Sequence, residues 1–73
     1  MKNSLRELRA ERGLTQADLA ALIGVSRQAV IAIESDKHDP SLDLAYRIAS
    51  VFQLSVESVF PNPHRSLQDS PAA

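Results

Sequence analysis

Few side chains in this chain are able to do covalent or metal chemistry. There is no cysteine, and His38 and His64 are its two histidines. No pair of carboxylates falls in a shaped pocket. Gly13 and Gly24 stand alone, so no glycine-rich loop exists to cradle a phosphate. No arrangement of residues in the sequence supports nucleophilic catalysis or metal ligation. The sequence therefore implies no enzyme, no cofactor and no metal site. What remains is recognition. In Thr15–Glu34, TQADLAALIGVSRQAVIAIE, polar residues open the second of two short helical segments. A helix presented in that way offers outward polar side chains to a DNA major groove.

The elements that must position those residues are written into the same segment. Two helices crossing steeply need a small side chain at their contact, and Ala20 supplies it. The turn between them needs a left-handed residue, which Gly24 adopts without a Cβ penalty. Leu19, Ile23, Val25, Val30 and Ile33 recur at helical spacing and face inward from both helices.

Around this pair the chain reads as an all-α, compact five-helix bundle containing a helix-turn-helix. The helices are expected near residues 4–12, 16–23, 27–35, 42–52 and 56–60. Asn3 or Ser4 caps the first, whose buried stripe is Leu5 and Leu8, and Gly13 ends it. Thr15 caps the second, with Asp18 completing an acidic capping box. Ser26, Ser41 and Ser55 cap the remaining three. Asp39 before Pro40 disfavours helix in the intervening loop. Residues 1–60 form one DNA-binding domain on this reading. From Pro61 the run PNPHRSLQDSPAA holds three prolines and one sizeable aliphatic. It buries too little apolar surface to offset the entropy of ordering, and 61–73 is read as a flexible tail.

Seventy-three residues allow one small domain. No apolar run approaches the ~18–20 residues that span a membrane, and the N-terminus lacks the apolar stretch of a signal peptide. Absence of cysteine fits a reducing cytoplasm. A domain filled by its own core leaves little room for a small-molecule ligand. Formal net charge is −1, which counts against nucleic-acid binding. Its distribution offsets this, because Lys2, Arg6, Arg9, Arg12, Arg27 and Lys37 all lie in the first half. Modest non-specific affinity follows.

From Leu5 to Phe60 the chain resembles the Xre or Cro/cI type of helix-turn-helix regulators, which include the lambdoid phage repressors. LRELRAERGLTQADLAALIGVSRQAVIAIES and DPSLDLAYRIASVFQLSVESVF carry the resemblance. It implies a lambda-repressor-like domain that binds double-stranded DNA as a dimer and usually represses transcription. By position, Gln16 would bond a phosphate and buttress the recognition helix, with Thr15 and Ser26 beside the same backbone. Arg27 and Gln28 would reach base edges, since arginine pairs bidentately with guanine and glutamine with adenine. Ile31 or Ala32 would touch a thymine methyl. Lys37 and His38 would meet phosphate beyond the recognition helix. Arg9 and Glu34 match a structural salt bridge between helices one and three. Position 36 is often glycine in the family. Asp36 would take the left-handed shape at a cost on the order of 1 kcal/mol.

Leu44, Ile48 and Val51 make a second apolar row on helix four, with Tyr46 nearby. Either the core-facing arc is wide, or helices four and five form a two-fold interface. The function expected is therefore a dimeric repressor on a palindromic operator. The rival readings are an antitoxin or other protein-interaction module, with the tail ordering on a toxin, and a helix-turn-helix that has lost DNA binding.

Overall fold

The computed structural model describes residues 1–64. The expectation of a flexible tail falls, beyond His64, outside the described residues. Five helices are present: α1 (Leu5–Glu11), α2 (Gln16–Ile23), α3 (Arg27–Glu34), α4 (Leu42–Val51) and α5 (Val56–Val59). The second matches its expected bounds; the other four end one residue inside theirs, where Arg12, Ser35, Phe52 and Phe60 serve as C-caps.

The starts are fixed by side-chain oxygens. Thr15, Ser26, Ser41 and Ser55 each accept a backbone N–H three residues on. In α1 the cap differs: Ser4 makes no side-chain capping bond, and Asn3 Oδ1 accepts from the Leu5 amide at 3.1 Å. Asn3 Nδ2 also donates to the Ile33 carbonyl at 2.8 Å, tying the start of the chain to α3.

The first four helices stop at left-handed residues. Gly13 and Gly24 have φ of 66° and 74°, and Asp36 and Gln53 take φ of 64° and 56° without being glycine. After α3 the Asp36 amide donates to Ile33 O at 3.2 Å and the Lys37 amide to Ala32 O at 3.0 Å. That pair of bonds satisfies two end carbonyls and closes a Schellman turn. Gln53 and Leu54 repeat the pattern after α4.

The core joins all five helices through Leu5, Leu19, Ile23, Val30, Ile33, Ile48, Phe52, Val59 and Phe60. Ala20 is buried at the α2–α3 contact, and Val25 packs half-buried beside it. In the second row on α4, Ile48 is fully buried, and Leu44 and Val51 are half-buried against the core. The core-facing arc is wide because α4 packs on both α2 and α5. Leu42 and Tyr46 are the α4 apolar residues left exposed.

Asp18 completes the capping box by accepting the Thr15 amide at 2.9 Å. The Thr15 backbone N–H first, and its hydroxyl second, hold this carboxyl below its ordinary value. A carboxyl depressed in the folded state stabilises it above the unfolded pKa, about 3.9, and stops doing so as pH falls through the folded value. Asp18→Ala is therefore expected to melt below wild type by a constant gap above about pH 5. The gap closes in more acidic solution. A gap that widens with acid in thermal melts would contradict this origin.

Candidate nucleic-acid interface

The axes of α2 and α3 turn by 109° across Gly24–Ser26. That bend presents the N-terminal turn of α3 outward, as in a DNA-reading helix-turn-helix. Arg47, on α4, braces the corner: its Nη1 donates to the Ile23 carbonyl at 3.3 Å. A Cβ at residue 24 would lie 3.8 Å from that same nitrogen, so the left-handed φ is what requires glycine there.

A chain of side-chain bonds crosses from α1 to α3. Arg9 Nε donates to Glu34 Oε2 at 2.8 Å, and Arg9 Nη2 donates to Glu34 Oε1 at 3.2 Å. The Glu34 side chain keeps 7% of its exposure and Arg9 keeps 16%, so the pair sits mostly out of water. Glu34 raises the Arg9 pKa above its ordinary value, chiefly by hydrogen bonding. Arg9 Nη1 also reaches the Leu14 carbonyl at 2.9 Å. Gln16 Nε2 then donates to Glu34 Oε1 at 3.3 Å, leaving Gln16 Oε1 to accept from Arg27 Nη2 at 3.4 Å. A charge fixed behind the site thus orients, through one amide, the first residue of α3.

Thr15, Gln16, Arg27 and Ile31 line one open groove of about 590 Å³ between α1, α2 and α3. Gln28 is exposed beside Arg27, and Ala32 is half-buried. Ile31 shows 36% of its surface, enough for apolar contact. Lys37 and His38 are exposed in the loop after α3, away from the groove lining. The Thr15 and Ser26 hydroxyls accept the Asp18 and Ala29 amides, so capping is their demonstrated role. Asp36 and Asp39 face the Met1 ammonium, at 2.8 Å in the Asp39 case, and hold that amine above 8.0.

Three features escaped the sequence reading. Arg47 has no local signal for its reach to α2. The left-handed Gln53 looks like any glutamine. Arg6 also lines the groove, and its spacing of three from Arg9 would have placed it on the same face of α1.

The helix-turn-helix family model matches residues 5–59. An uncharacterised HTH-type transcriptional regulator of Methanocaldococcus jannaschii is 55% identical over 60 residues, covering 82% of this chain and 91% of that protein. The uncharacterised HTH-type transcriptional regulator YgzD of Bacillus subtilis is 47% identical, covering 82% of this chain and 91% of its own. Among solved structures, the restriction-modification controller protein C.AhdI of Aeromonas hydrophila superposes with a TM-score of 0.70 at 34% identity. That match covers 77% of this chain and 85% of that one. The chain belongs to the helix-turn-helix family of the Xre or Cro/cI type, whose fold is that of DNA-binding transcriptional regulators. Among the described residues, no single helix is long and apolar enough to cross a membrane.

Proposed function

We propose that this regulator binds double-stranded DNA as a homodimer and represses transcription by occupying a palindromic operator. Each subunit lays α3 in the major groove, with half-sites about one helical turn, roughly 34 Å, apart. The observation that carries the reading is the Arg9–Glu34–Gln16–Arg27 chain, which preorganises the exposed start of α3. Arg27 and Gln28 read base edges; Ile31 and Ala32 supply apolar contact. Thr15, Gln16, Ser26, Lys37 and His38 meet the backbone. Residues 1–60 are the DNA-binding unit and 61–73 an appended tail.

One subunit offers few polar side chains to bases, so a unique site calls for two half-sites. The exposed Leu42 and Tyr46, one turn apart on α4, support a two-fold contact there, to which the half-buried Leu44 and Val51 of the same helix would add their exposed edges. Tyr46 is 59% exposed, so Tyr46→Glu is expected to keep the fold and give a monomer. Light scattering should show half the wild-type mass, and operator affinity should fall with it. A variant of unchanged mass would sink the α4 interface. The functional reading itself is tested by titrating labelled random duplex with protein. Affinity should fall linearly in log–log form as salt rises. Folded protein with no affinity at low salt would overturn it.

A further inference from the structure

We infer that Arg6 is an additional anchor for a DNA backbone phosphate, carrying the interface from the recognition helix onto α1. The inference rests on the DNA-binding reading above and extends it to a surface which that reading does not use. Arg6 lines the same groove as Thr15, Gln16 and Arg27. Arg6 and Arg9, three apart, lie on one face of α1. Three guanidinium groups border this groove against a single carboxylate, Glu34. That carboxylate is already engaged by Arg9 and Gln16. The surplus is cationic.

The other arginines of the described residues have partners. Arg9 holds Glu34, Arg12 lies over the Phe52 ring at 5.9 Å, Arg27 meets Gln16, and Arg47 pairs with Asp43 at 3.0 Å. Arg6 makes no hydrogen bond or ion pair within the described residues, and it is exposed. On its own helix the residues three and four away are Arg9 and Ala10, and Asn3 and Lys2 stand at the same spacings before the helix, so no carboxylate at helical spacing neutralises it. An unpaired guanidinium at the lip of a concave cationic surface fits a phosphate, to which arginine bonds through its planar fork. The contact is to backbone, so it adds affinity without base preference.

The test compares wild type, Arg6→Ala and Arg6→Glu on a fixed duplex across a salt series, by fluorescence anisotropy. Circular dichroism melts confirm folding, which an exposed side chain should leave intact. Arg6→Ala is expected to weaken binding by a similar factor on every duplex tried. It should also make the log–log salt slope shallower by about 0.9 per bound subunit. Arg6→Glu should weaken binding further. Base preference in a set of singly substituted duplexes should not move. Wild-type affinity and slope retained in both variants would overturn the inference and leave DNA binding standing. A changed base preference would overturn it too, by making Arg6 a base reader. Wild-type protein that binds no duplex would overturn both readings.

Discussion

Arg9→Ala is expected to lower the unfolding free energy by about 2–4 kcal/mol, measured in urea. The lower half of that range falls below the ~3–5 kcal/mol for breaking a fully buried pair, because water still reaches part of Arg9. The variant strands a carboxylate whose side chain is 7% exposed and removes the donor to the Leu14 carbonyl. Only the Gln16 amide then remains to Glu34. Cores of this size rarely supply more than about 3–5 kcal/mol, so the loss consumes most of the stability. Glu34→Ala should cost less, because the guanidinium left behind keeps its Leu14 bond and more solvent. The double variant Arg9→Met, Glu34→Leu should recover most of the deficit, since it leaves no charge unpaired. It should not recover ordered presentation of Arg27, because Gln16 loses its anchor. Single and double variants of equal stability would show the pair to be idle.

The legible part of this molecule was the part encoded locally. Ala20, Gly24 and the threonine and serine caps act within a few residues of themselves, and the helices start where those caps stand. The Arg9–Glu34 pair was reached by resemblance, since twenty-five residues separate its members and no periodicity joins them. Ile48 shows the limit of pattern. Its spacing fits a helix face, yet how much of α4 is covered depends on α2 and α5 arriving from two sides. Asp36 was recognised as left-handed through the glycine that often occupies its place. Gln53 takes the same shape with no such pointer. The reach of Arg47 to Ile23 and the solitary position of Arg6 appear only once distant segments meet.

The second large effect falls on specificity. Arg27 and Gln28 are exposed at the first turn of α3, so replacing both by alanine should leave the fold and melting temperature near wild type. Bidentate contacts to guanine and to adenine are each worth about 1–3 kcal/mol of discrimination. Loss of both should cut the preference for operator over random duplex by about a hundredfold or more, while phosphate contacts keep residual binding. The effect differs in kind from that at Arg6, where affinity falls and preference stays.

Selection of binding sites from random duplex DNA, with wild type and Arg27→Ala, Gln28→Ala run side by side, tests this most directly. An enriched palindrome with half-site centres about 10 base pairs apart, lost in the variant, is the expected result. No enrichment at low salt from folded wild-type protein, or the same palindrome enriched by the variant, would contradict readout by α3.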